Sequence, residues 1–177
     1  MSKETFPPEK VSVFWFRRDL RLEDNTGLAR AINSGYPVLA LFIFDTEIID
    51  ELPADDARIS FIYKQLEKIH SQLLTRGSSL HVSKGEPLAV WKELFDMYEI
   101  QAVYANKDYE PYALRRDREL GEWLQSRGIG LHLFKDQVIF EEGDILKKDG
   151  KPYTVFTPYK RKWLEKFQGS VPLIEAV

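Results

Sequence analysis

Six charged side chains crowd the nine positions from Arg17 to Asn25: Arg17, Arg18 and Arg21 against Asp19, Glu23 and Asp24. They sum to zero charge, and two chemistries suit them. Arginine forks and carboxylates can form a self-neutralising network that fastens a loop. The same groups can cradle a polar ligand. Self-neutrality favours the network. A second candidate lies in YANKDYEPYALRRD, Tyr104 to Asp117, where Asp108 and Glu110 form a carboxylate pair. Such a pair suits acid–base or ligand-binding work, yet acids just ahead of a helix also favour its N-terminus. Charge and position fit both readings.

Other chemistries are excluded or unsupported. There is no cysteine, so disulfides, thiolate metal sites and cysteine nucleophiles are ruled out. His70, His81 and His132 have no metal-ligand spacing. Neither G-x-G-x-x-G nor G-x-x-x-x-G-K-[ST] occurs, which argues against a stand-alone nucleotide-binding module. No nucleophile elbow is present.

These candidates need a scaffold, and the apolar pattern supplies one. Runs at VSVFWF (11–16), VLALFIF (38–44), SLHVS (79–83), AVYA (102–105) and LHLF (131–134) read as five strands. The first two are nearly continuous in apolar residues, as strands covered on both faces should be. Helical patterns separate them. Asn25 or Thr26 caps the first helix and Gly35 closes it; Asp55 or Asp56 caps the second and Gly77 ends it. The second carries Ile59, Ile62, Tyr63, Leu66, Ile69, Leu73 and Leu74 at helical spacing. Pro87 and Pro111 open two more, running to about Tyr98 and to before Gly128. Alternating strands and helices predict an α/β fold: a three-layer, doubly wound, Rossmann-like parallel five-stranded sheet of order 3-2-1-4-5. In that order the chain reverses between the first and fourth strands. Ligands in such sheets bind at the carboxyl ends flanking the reversal, here the Arg17–Asn25 and Asn106–Glu110 loops.

After Phe134 the pattern changes. Asp149-Gly150 signals a hairpin, and Thr157 with Pro158 opens a last helix, Thr157 as its cap. Tyr159, Trp163 and Phe167 form an aromatic stripe on it. The stripe either folds back on the body or is covered by something outside the chain. The expected organisation is an N-terminal extension (1–10), an α/β domain (11–140), and a hairpin, helix and start of a linker (141–177).

The 177 residues are 44% hydrophobic and 30% charged, with net charge −3. That balance suits one globular domain and argues against a wholly nucleic-acid-binding surface. Lys147 to Lys166 is the exception: seven bases against two acids give +5, leaving −8 elsewhere. With no groove-reading element, this stretch is expected to face a linker, a partner domain or solvent rather than DNA. No run is long enough to span a bilayer and no signal peptide is evident, so a cytoplasmic protein with no membrane partner is expected.

Taken together, WFRRDLRLEDN (Trp15–Asn25), NKDYEPY (Asn106–Tyr112) followed by Arg116-Asp117, and GKPYTVFTPYKRKW (Gly150–Trp163) resemble the DNA photolyase/cryptochrome family, in that family's order. SSLHVSKGEP (Ser78–Pro87) fits as well. The resemblance implies the N-terminal α/β domain of a deoxyribodipyrimidine photolyase. The intact enzyme would be a carbon–carbon lyase that splits cyclobutane pyrimidine dimers in damaged DNA. It would use light and FAD held in a C-terminal helical domain, which would also be this domain's partner. The fragment alone would be inactive and carry no catalytic residue. A cryptochrome, a blue-light receptor without repair activity, is the alternative within the family. By resemblance, Phe42, Arg58, Asp108 and Glu110 would bind a second, antenna chromophore: a deazaflavin, methenyltetrahydrofolate or a flavin. Folate-binding members carry an Asn-Glu pair where this chain has Tyr112 and Ala113, a departure that speaks against a folate site of that type.

Overall fold

The structure is a computed structural model that describes residues 9–53 and 55–167. The expected N-terminal extension lies outside the described residues except for Glu9 and Lys10, and Lys10 already opens the first strand. The stretch from Gln168 onward, expected to begin a linker, lies outside them as well.

Five strands, β1 (Lys10–Phe16), β2 (Val38–Asp45), β3 (Leu80–Gly85), β4 (Glu99–Asn106) and β5 (Gly130–Phe134), form one sheet in the order β3-β2-β1-β4-β5. All four pairings are parallel, as expected. The helices are α1 (Thr26–Ile32), α2 (Thr46–Ile49), α3 (Ala57–Leu74), α4 (Pro87–Met97), α5 (Pro111–Gln125) and α6 (Phe156–Lys166).

The apolar run of β1 has a direct cause. Val11, Val13 and Trp15 point to one face, where they pack with Trp91, Leu94, Leu120 and Leu124 of α4 and α5. Phe14 and Phe16 point to the other, among Leu28, Ala31, Leu66 and Ile69 of α1 and α3. Side chains alternate along a strand, so a strand buried on both faces is apolar at nearly every step. The exception, Ser12, is buried and its hydroxyl is hydrogen-bonded to that of Ser34 at 2.8 Å.

Helix ends follow local chemistry. Asn25 caps α1, its side chain accepting from Leu28 N, and Asp56 caps α3, accepting from Arg58 N. Gly77 follows α3 with φ of +71°, a conformation glycine adopts freely. In α3 only Leu66 and Ile69 are fully buried, and Tyr63 and Leu74 of the expected apolar stripe lie exposed.

Three features differ from expectation. The single-turn α2 has no long periodic signal; it forms because Asp45 accepts from Glu47 N at the strand's exit. The hairpin around Gly150 reduces to one antiparallel bridge, Leu146 with Pro152. Thr157 does not cap α6: the cap position is two residues earlier, at Val155, with no side-chain cap, and Thr157 lies inside the helix. Part of the aromatic stripe folds back. Trp163 meets Phe140 edge-on at 5.2 Å and Phe167 at 4.9 Å, and Tyr159 meets Tyr153 at 6.2 Å.

Candidate functional site: a polar crevice where the sheet reverses

β1 and β4 lie side by side, so their outgoing loops share one hollow. Arg17, Arg18, Asp19, Asn106, Lys107, Asp108, Asp136 and Gln137 line it. The six charges of the first loop do not simply neutralise one another; most reach across to β4 and beyond.

Arg17 spans the reversal. Its guanidinium donates to both oxygens of Asp117 in α5, at 2.6 Å each, and to the backbone carbonyl of Asn106. Both side chains of that pair are under a tenth exposed. Asn106, at the end of β4, is the hub beside it. Its amide nitrogen donates to Asp19 Oδ2 at 2.6 Å and Asn25 Oδ1 at 2.8 Å, and its oxygen accepts from Gly27 N at 2.8 Å. Arg21 bonds to Asp136 at 2.7 Å, and Asp136 also accepts from Thr26 N at 3.1 Å. The loop after β1 is thus tied to β4, α1, α5 and the loop that follows β5 by bonds that are in part charge-assisted and water-poor, where such bonds count most.

A second polar cluster joins the end of β2 to the start of α5. Asp45, at the end of β2, accepts from the Tyr112 hydroxyl, and Arg116 stands 3.9 Å away. The Arg116 guanidinium lies over the Trp15 ring at 4.7 Å. Burial raises the Asp45 carboxyl above the usual carboxylate range, a rise that the Tyr112 bond, the Glu47 backbone N–H and Arg116 partly offset. Burial, and then the bond to Asp45, raise the Tyr112 hydroxyl, which therefore stays protonated and donates.

The sign of the Asp45 shift gives a pH test. Folded Asp45 holds its proton more tightly than the unfolded chain does. Stability should therefore fall as pH rises from about 4, the ordinary aspartate value, through the raised folded value. Asp45→Asn still accepts from Tyr112 but removes this slope. In urea unfolding from about pH 4 to pH 7, the variant should gain stability relative to the parent as pH rises. Parallel curves would refute the assignment.

The anticipated site residues are placed as follows. Asp108 and Glu110 come together, both 3.4 Å from the Arg18 guanidinium. Glu110 does not cap α5 with its side chain; Asp108 accepts from Glu110 N instead, at 3.2 Å. Phe42 is buried in β2, edge-on to Phe44 at 5.0 Å. Arg58, in the first turn of α3, bonds to Asp56 at 2.7 and 2.9 Å and is largely exposed. Arg58 holds the Asp56 carboxyl down at about 2. Among the described residues, no hydrogen bond or ion pair joins Phe42 or Arg58 to the Asp108–Glu110 pair. Composition gave no cue to the roles of Asp45 and Asp136, although Asp45 closing the run VLALFIFD was a signal: an acid where a buried strand ends.

A doubly wound parallel sheet with a charged crevice at its reversal defines a class of α/β domain that takes planar or phosphorylated ligands at its strand ends. Within it, the family model for DNA photolyase matches residues 12–176. The chain belongs to the DNA photolyase family, and its fold is that of the family's N-terminal domain. It is 33% identical to a deoxyribodipyrimidine photo-lyase of Synechococcus over 85% of this chain and 31% of the relative. It is 34% identical to one of Vibrio cholerae over 91% of this chain and 35% of the relative. A crystal structure of a bacterial class III photolyase from Agrobacterium tumefaciens superposes with a TM-score of 0.79 at 28% identity, covering 97% of this chain and 34% of that one. An archaeal photolyase from Sulfolobus tokodaii, described with two FAD molecules and a novel light-harvesting cofactor, gives 0.72 at 30% identity, covering 85% and 34%. The chain therefore spans about a third of the length of each of these four relatives. No described helix is long and apolar enough to cross a membrane.

Proposed function

We propose that this chain is the antenna domain of a light-dependent DNA repair enzyme. It would hold a planar chromophore at the strand ends and pass excitation to FAD in a C-terminal helical partner domain. The intact protein would split cyclobutane pyrimidine dimers in damaged DNA in the cytoplasm, and this domain alone would be inactive. Family membership over nearly the whole chain carries the reading. By the rule for sheets of this order, the chromophore would sit over the strand ends beside β1 and β4.

The residues present bear on which chromophore fits. Arg58 is an exposed cation at the head of α3, Phe42 and Phe44 are aromatic neighbours on β2, and Asp108 with Glu110 supplies carboxylate acceptors. That set suits a polar, partly buried ring system such as a deazaflavin or flavin. A folate held by an Asn-Glu pair does not fit. Tyr112 is committed to Asp45, and Ala113 is buried and has no polar side chain. The chromophore would supply light absorption; Arg58 and the carboxylates would bind and orient it.

The test is reconstitution of the purified chain with 8-hydroxy-deazaflavin, FAD and methenyltetrahydrofolate in turn, read by absorption and fluorescence. One flavin-like chromophore should bind and the folate should not. Arg58→Ala should weaken binding at least tenfold, on the order of the loss of one hydrogen bond to a charged group, and lower the urea midpoint only slightly, as the loss of an exposed ion pair does. Equal binding by parent and variant would reject the role of Arg58. Dimer repair by the chain alone under light would reject the antenna assignment.

A further inference from the structure

The basic stretch at the end of the described chain is not used by the crevice. Of its seven cations, Lys162 pairs with Glu165 at 3.0 Å and Lys166 with Asp144 at 2.9 Å. Lys148, Lys151, Lys160 and Arg161 are exposed and have no ion-pair partner among the described residues. They sit on one small unit, the Leu146–Pro152 turn and α6, joined by the Tyr153–Tyr159 contact. Aromatic rings are interleaved with them: Phe156 is 72% exposed and Tyr159 37%. A +5 segment on a chain that is otherwise −8 keeps its positive field against the body's charge only locally, which suits short-range contact with an anionic backbone.

We propose that this turn and α6 form a contact surface for single-stranded or unpaired nucleic acid, phosphates lying on the four cations and a base stacking on Phe156. Cations that track a backbone beside an exposed ring are the chemistry of sequence-tolerant strand binding. Such contact needs no groove-reading element, because phosphates position a chain without reading bases. The absence of such an element therefore excludes base-specific readout and not this contact. The surface chemistry stands by itself. Only the choice of damaged DNA as the natural ligand, where unpaired bases would lie, rests on the function proposed above.

Fluorescence anisotropy of a labelled 20-nucleotide single strand, its duplex, and vesicles with phosphatidylserine tests it, in the dark and without flavin. Neutralising four phosphates gives a salt slope of roughly −3, so single-strand affinity should fall about 50-fold between 50 and 200 mM salt. The variant K148Q/K151Q/K160Q/R161Q, all exposed changes checked for folding by circular dichroism, should lose most of that affinity and slope. Phe156→Ala should weaken the single strand at least fivefold, as expected for a lost stacking platform, and leave the duplex unchanged. Parent-like binding by the quadruple variant, no effect of Phe156→Ala, or equal affinity for the vesicles would each overturn the proposal. A chain that binds the strand but no chromophore would overturn the antenna reading alone.

Discussion

Arg17→Ala should lower the unfolding free energy by about 3–5 kcal/mol, the range for removing one partner of a buried ion pair. The size comes from what the substitution abandons. Asp117 would remain buried in α5 with only the Arg116 guanidinium, at 3.2 Å, to balance it. The Asn106 carbonyl would lose its donor, and the Trp15 ring would lose the cation 5.2 Å above it. Arg17→Lys should recover only part of the loss. In Arg17 one guanidinium nitrogen, Nη1, bonds both Asp117 oxygens while the other, Nη2, bonds the Asn106 carbonyl; a lysine ammonium has one nitrogen and can stand at the first position but not also at the second. Domains of this kind have about 5–15 kcal/mol in all, so the alanine variant should be marginal at room temperature. Urea unfolding at neutral pH reads the effect. A loss below about 1 kcal/mol would place the pair with ordinary surface bridges instead.

The same pair shows what a sequence can and cannot disclose. The strands were legible because burial on both faces forces a nearly continuous apolar run, as in Val11–Phe16 and Val38–Phe44. The helix starts were legible because capping is local: Asn25 and Asp56 satisfy donors within three residues. Strand order then placed the crevice without any side-chain information. The pairings inside it were not legible. Arg17 meets Asp117 across 100 positions, and Tyr112 meets Asp45 across 67. Composition reports that charges are present, whereas packing of α5 on the sheet decides which ones meet. Thr157 misled for a related reason. Its hydroxyl suits a cap, but nothing local stops the helix from beginning at Phe156, one residue before it. The antenna residues are a third case. Phe42, Arg58, Asp108 and Glu110 come from resemblance, and in the fold only the last two share a partner, Arg18.

Gly27→Ala should be the other costly change, although alanine is the better helix former. Gly27 is the second residue of α1, where the helix comes closest to the end of β4. A Cβ there would stand 2.7 Å from Asn106 Oδ1, 2.9 Å from Phe14 Cε2 and 3.2 Å from the Ala105 carbonyl carbon. None of the three has freedom to yield. Asn106 is held by Asp19 and Asn25, Phe14 is fully buried against Phe16 at 4.6 Å, and Ala105 is strand backbone. The helix must therefore lift, straining the core and stretching the Gly27 N–Asn106 bond. Overpacking of this kind costs about 1–3 kcal/mol, and the weakened bond about 1 kcal/mol more. These outweigh a propensity gain of about 1 kcal/mol. Gly121→Ala in α5 is the internal control, since its Cβ would meet only Leu131 Cδ2, at an ordinary 3.6 Å. That variant should be stabilised by about 0.5–1 kcal/mol. Opposite shifts of the urea midpoint for the two variants are expected. A neutral or stabilising Gly27→Ala would mean that α1 is not wedged against the Asn106 hub, and the crevice would lose the contact that fixes its floor.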